Sequence, residues 1–103
     1  MSLINFNEEN FNELIKEGTV LVDFYADWCG PCKMLGPVLT QFSEMHKDIT
    51  VVKVNVDVHQ ELASQYGVMS IPKLILFKDG AILATKNGFQ SIDMLNNWIE
   101  ESK

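Results

Sequence analysis

Cys29 and Cys32 are the only two cysteines in a chain of 103 residues, and they are separated by Gly30 and Pro31. A Cys-x-x-Cys pair serves as half of a zinc site, as a covalent haem attachment, or as a dithiol that cycles with a disulfide. Zinc would need two further ligands, yet the only histidines, His46 and His59, are separated by twelve residues rather than the roughly three to five of a finger. Haem attachment requires histidine directly after the second cysteine, where this chain has Lys33. A static disulfide closing so short a loop restricts the unfolded chain little, and a cytosolic compartment would tend to reduce it. Redox cycling is the reading that survives, with no metal site.

That chemistry needs one ionised sulfur and one shielded sulfur. The pair follows an apolar run, Val20 to Ala26, and precedes a segment with helical periodicity. A sulfur at the mouth of a helix meets unsatisfied backbone N–H groups and the positive end of the macrodipole, so the thiolate is favoured there. Cys29 takes that solvent-accessible role and Cys32, one turn inward, is expected to be the more shielded. Pro31 suits an early helical position and stiffens the turn begun by Gly30.

Asp23 interrupts the apolar run, so its carboxyl is expected to be desolvated, raised in pKa and able to accept the proton of Cys32. The plainer alternative is an acid at a strand end facing water. Lys53, within Val51-Val52-Lys53-Val54, either brings its ammonium near Asp23 from the next strand or extends into solvent. Both readings are open from the residues alone.

The elements that must hold these groups read clearly. Asn7 is expected to cap a first helix bearing Phe11, Leu14 and Ile15, with Gly18 at its stop. Val20–Ala26 reads as a central parallel strand buried on both faces. Met34, Leu35, Val38, Leu39, Phe42 and Met45 mark a helix running to about His46, with Pro37 expected to kink it. Thr50–Val56 reads as a strand, and Glu61–Tyr66 as a short helix ended by Gly67. Lys73–Lys78 and Ala81–Lys86 flank Asp79-Gly80, a hairpin dipeptide. Ser91 caps a last helix with Ile92, Leu95 and Ile99 buried and Trp98 at the margin. Leu3-Ile4 is expected to add a short strand. The fold class is therefore α/β, with a central mixed sheet of four to five strands flanked by about four helices on both faces.

Composition bounds the partners. Hydrophobic residues make up 47% of the chain and charged residues 21%, enough for one self-sufficient core, so residues 1–103 are expected to form a single domain. Eight lysines, no arginine and fourteen carboxylates leave a net charge of −6, which argues against nucleic acid and anionic membrane surfaces. Apolar runs reach only four residues, as at Leu74–Phe77, far short of the roughly 20 of a spanning helix. The N-terminal residues lack a basic start and an apolar stretch, which predicts a cytoplasmic protein. The histidines and methionines read as structural or solvated.

The run Trp28-Cys29-Gly30-Pro31-Cys32-Lys33 resembles the active-site signature of the thioredoxin family. The likeness extends over nearly the whole chain, through Val22-Asp23-Phe24, Pro37, Lys53, Asp57, Ile71-Pro72 and Phe77-Lys78-Asp79-Gly80. The resemblance implies the thioredoxin fold and a general protein-disulfide reductase that maintains redox homeostasis and donates electrons to target enzymes. It implies disulfide-containing target proteins as substrates and recycling by an NADPH-dependent flavoprotein thioredoxin reductase. No bound cofactor is expected beyond the Cys29–Cys32 dithiol/disulfide itself, and the working unit is expected to be a monomer. In thioredoxins the proline matching Pro72 is cis and lies beside the sulfurs, so the backbone of Ile71 is expected to pair with an extended substrate. Trp28, Gly30, Pro31, Ile71, Pro72 and Gly88 would then form the docking collar.

Four positions depart from the commonest family pattern: Tyr25 for tryptophan, Gly36 for alanine, Lys73 for threonine and Asn87 for a small apolar residue. Lys73 and Asn87 are expected to change the docking rim rather than the reaction. Within redox chemistry the rival is an oxidase or isomerase, which usually carries another dipeptide between its cysteines. From a different class, the rival is a binding module that clamps a partner in either redox state.

Overall fold

The computed structural model describes residues 3–103, so Met1 and Ser2 of the expected 1–103 domain, and of the N-terminal reading, lie outside it. The chain runs β1 (Leu3–Asn5), α1 (Phe11–Ile15), β2 (Thr19–Tyr25), α2 (Gly30–Met45), β3 (Ile49–Asn55), α3 (Gln60–Gln65), β4 (Lys73–Lys78), β5 (Ala81–Asn87) and α4 (Ile92–Ser102). The strands form one mixed sheet in the order β1-β3-β2-β4-β5. β1, β3 and β2 are mutually parallel, while β4 runs antiparallel to both β2 and β5. The expected fold class is realised, and β2, the strand that leads to the cysteines, is central.

Side-chain alternation along β2 divides the core in two. Leu21 packs with Leu35, Leu39 and Phe42 of α2 and with Leu95, Trp98 and Ile99 of α4. Val20, Val22 and Phe24 face the opposite side and pack with Phe11 and Ile15 of α1 and Ala63 of α3. Because a strand's side chains alternate with period two, each face of the central strand needs its own helical cover, and the run reads as continuously apolar.

Several boundaries differ from expectation. The cap of α1 is Asn10, whose Oδ1 accepts from Glu13 N–H at 3.2 Å, and not Asn7. Glu9 instead accepts from Asn7 N–H at 2.7 Å, ahead of the helix. α2 starts at Gly30, directly after the first cysteine, and runs to Met45 with Pro37 inside it. Met34 and Met45 lie outside the buried stripe of α2 and are exposed. Conversely, Trp98 is buried, because α4 packs on α2 and the sheet at once.

The hairpin turn behaves as its dipeptide predicts, with φ of 50° at Asp79 and 87° at Gly80. It is also tied to the turn before β2: Gly18 N–H donates to Asp79 Oδ1 at 2.8 Å, and Asp79 N–H donates to the Gly18 carbonyl at 2.9 Å. No helix among the described residues is long and apolar enough to cross a membrane.

Candidate functional site

β2 delivers the chain to the carboxyl edge of the sheet, and Cys29 becomes the N-cap of α2. Its backbone is extended, with φ −92° and ψ 113°, and its Sγ accepts the N–H of Cys32 at 3.2 Å. The cap, an Asn side chain at α1 and a Ser side chain at α4, is here the sulfur. Pro31 occupies the first turn, where its missing donor costs nothing. At Gly30 an added methyl would meet nothing within 4 Å, so this position opens onto free surface.

Cys29 and Cys32 form a disulfide with Cα atoms 5.2 Å apart. Both residues are only 5% exposed, so accessibility does not separate them as expected. Environment does. Cys29 Sγ receives the helix N–H and lies 3.9 Å from the Ile71 carbonyl oxygen, whereas Cys32 lines a cavity of about 190 Å³ with Tyr25, Asp27, Lys33, Gly36 and Lys53.

The Ile71–Pro72 peptide bond is cis. Ile71 offers its side chain as well as its backbone, packing on the cluster of Ala26, Cys29 and Cys32. Gly88, with φ of 86°, donates its N–H to the Pro72 carbonyl at 2.8 Å, which binds two of the expected docking residues to each other. Trp28 is 70% exposed rather than core, and its Nε1 donates to Asp57 Oδ2 at 2.8 Å. The indole is thereby held in place while its ring face stays open. Asp57 is the residue whose part was missed. It stands in the loop after β3, and nothing near it in the chain points to Trp28.

Asp23 is fully buried in mid-strand, so the reading of an acid at a strand end fails. Burial pushes its carboxyl up to about 7 from 3.8, with the Lys53 charge opposing. Neither carboxyl oxygen has a hydrogen-bond partner among the described residues. Lys53 is the direct Cα partner of Asp23 across β2 and β3, yet its ammonium sits 4.9 Å from the centroid of the Tyr25 ring. Its charge acts on Asp23, which fits the reading that brings it toward the acid, while the Tyr25 ring is a partner that neither reading named. Lys73 pairs with Asn87 at the opening of the β4–β5 ladder, beside the Pro72–Gly88 contact. Among the described residues no group of three or more His, Cys, Asp or Glu side chains is placed to hold a metal ion. His46 instead meets Asn96 Oδ1 at 2.8 Å, and His59 packs edge-on against Phe6.

The arrangement joins an N-capping sulfur, a second sulfur one turn away and a buried acid on the strand that leads to them. It suits two-electron exchange between a dithiol and a disulfide.

A family model described as Thioredoxin matches residues 2–101. The thioredoxin of Bacillus subtilis is 42% identical over 102 residues, covering 98% of each chain. That of Chlamydia caviae is 50% identical over 93 residues, covering 90% of this chain and 91% of the relative. Among solved structures, oxidised mitochondrial thioredoxin 3 of Saccharomyces cerevisiae superposes with a TM-score of 0.81 at 36% identity, over 88% of this chain and 86% of the other. A chain from a study of thiol resolution in yeast mitochondrial 1-Cys peroxiredoxin by glutathione and thioredoxin systems gives 0.87 at 33% identity, over 97% and 95%.

Proposed function

This chain belongs to the thioredoxin family, and on that premise we propose that Cys29 is the attacking sulfur and Cys32 the resolving one. The protein is a protein-disulfide reductase that works by dithiol–disulfide exchange. In the reduced state, Cys29 thiolate attacks one sulfur of a target disulfide, forming a mixed disulfide and expelling the other target sulfur as thiolate. Cys32 then gives its proton to the Asp23 carboxylate, and its thiolate attacks Cys29 Sγ. The second target sulfur leaves, the target has gained two electrons, and the protein is left with the Cys29–Cys32 disulfide.

The observation that carries this reading is the cap: Cys29 Sγ accepts a backbone N–H at the mouth of α2, an interaction that strengthens when the sulfur carries charge. Trp28, Ile71, Pro72 and Gly88 form the docking collar, with the open surface at Gly30 and Pro31 admitting the partner chain. Electrons return from an NADPH-dependent flavoprotein thioredoxin reductase. The substrates are disulfide-containing proteins, the working unit is a monomeric single domain over residues 1–103, and its place is the cytoplasm, where thiols are kept reduced.

Trapping tests the sulfur assignment. Cys32→Ser, incubated with disulfide-containing targets, is expected to accumulate covalent mixed disulfides, and Cys29→Ser is not. Equal adduct formation by the two variants would overturn the assignment.

A further inference from the structure

The ammonium of Lys53 has two berths within its reach, and it occupies the less obvious one. Asp23 and Lys53 are paired across adjacent parallel strands, and two residues further along β2 on the same face stands Tyr25. The cation lies over the Tyr25 ring, 4.9 Å from its centroid, within the distance at which a ring quadrupole attracts a cation. Ion pairs among the described residues join Lys16 to Glu13 and Lys103 to Glu100, and none joins Lys53 to Asp23. Both Asp23 oxygens lack a hydrogen-bond partner there as well.

The ammonium-bearing side chain also lines the cavity that Cys32 borders. Tyr25, Cys32, Gly36 and Lys53 share its wall. A methyl built on Gly36 would meet Nζ at 3.9 Å, an ordinary van der Waals contact, so the cation lies between the Tyr25 ring and the flank of α2 at Gly36. Tyr25 and Gly36 are two of the four positions at which the chain departs from the commonest family pattern, and both touch this one ammonium.

We propose that Tyr25 is a positioning residue whose ring berths the Lys53 ammonium and keeps it from closing an ion pair with the buried carboxyl of Asp23. Resting on the role given to Asp23 above, this leaves the carboxyl free to take the Cys32 proton instead of being held ionised by a permanent partner. The charged and titratable groups that act with Asp23 are Lys53 from β3 and Tyr25 from its own strand, and the cavity that these two line also holds Cys32, Asp27 and Lys33. Across β4 it faces Leu74, which carries no charge.

The test is the titration of the Asp23 side-chain carboxyl, followed by carbon-13 NMR in the full-length oxidised protein. Tyr25→Phe keeps the ring and is expected to titrate with the parent. Tyr25→Leu frees the ammonium to approach the carboxylate, and the Asp23 midpoint is expected to fall by about one pH unit or more. In the double variant Tyr25→Leu/Lys53→Met that fall is expected to vanish, leaving the midpoint of Lys53→Met alone. An unchanged or raised midpoint in Tyr25→Leu overturns the proposal, and so does a fall that persists without Lys53, which would mark hydration of the cavity as its cause. Tyr25→Met provides the same contrast if Tyr25→Leu does not fold. Resolution of a preformed mixed disulfide by Asp23→Asn at the parental rate would overturn the proton-accepting role of Asp23 and not the berth, so the two failures are distinguishable.

Discussion

Asp23 shows what one residue contributes when its surroundings oppose its charge. Its side chain is fully buried in mid-strand, its carboxyl has no hydrogen-bond partner among the described residues, and burial raises it from 3.8 to about 7. Between those two values the native state holds a proton that the unfolded chain has released. Native protein therefore binds more protons than unfolded protein, and stability falls as pH rises from about 4 through about 7. At roughly 1.4 kcal/mol per pH unit the whole effect approaches about 4 kcal/mol, reduced by whatever packing the side chain provides. Asp23→Ala is accordingly expected to be more stable than the parent at pH 8, by an amount that shrinks toward pH 4, and slower in disulfide reduction. Urea unfolding of the oxidised proteins at the two pH values checks the first part, and a turnover assay the second. A variant that is less stable at pH 8 and fully active would make Asp23 purely structural. The acid was legible as unusual because apolar neighbours surround it in the chain. Its company was not: the Tyr25 ring takes the Lys53 ammonium, and no local pattern encodes which of two partners a flexible cation chooses.

Each longer helix begins with a side chain that accepts a backbone N–H, but the chemistry of the caps differs. Ser91 Oγ accepts from Met94 N–H at 3.2 Å in α4, where the Ser is followed by the buried Leu95 and Ile99. Replacing it with alanine is expected to cost about 1 kcal/mol, while Ser91→Asp is expected to keep most of that stability because a carboxylate caps equally well. Thermal or urea unfolding of both variants decides this, and equal losses would show that the hydroxyl is not acting as a cap. At α2 the corresponding position is Cys29, so the element's stability and the sulfur's ionisation draw on the same N–H groups. The start of α4 was readable because one capping residue stands before one apolar stripe. At α1 two asparagines three residues apart compete, and Asn10 wins because Phe11 and Ile15 are the residues that reach the sheet. The exposed Met34 and Met45 show the same limit: apolar spacing places them near the buried stripe, but the rotation of the helix against the sheet selects Leu35, Leu39 and Phe42.

The molecule as a whole is a single sheet covered on both faces, with a Cα radius of gyration of 12.3 Å, close to the ~13 Å typical of a compact chain of about 100 residues. Its rigidity rests on that double cover. Leu39, fully buried between α2 and the sheet, is expected to cost about 2–5 kcal/mol on replacement by alanine. Met69→Ala, at a side chain 97% exposed, is expected to change stability by less than about 0.5 kcal/mol. Comparable losses at both sites in urea unfolding would show that burial does not set stability here. Periodicity and composition carried the order of strands and helices, the hairpin at Asp79-Gly80 and the placing of a dithiol at a strand-to-helix turn, since these depend on residues near one another in the chain. Folding settled which distant groups meet: Trp28 with Asp57 across 29 positions, Cys29 with Ile71 across 42, and Lys53 with the ring of Tyr25. The reason is physical. Local periodicity says which way a side chain points, whereas the register of the strands and the packing of helices upon them say what it finds there.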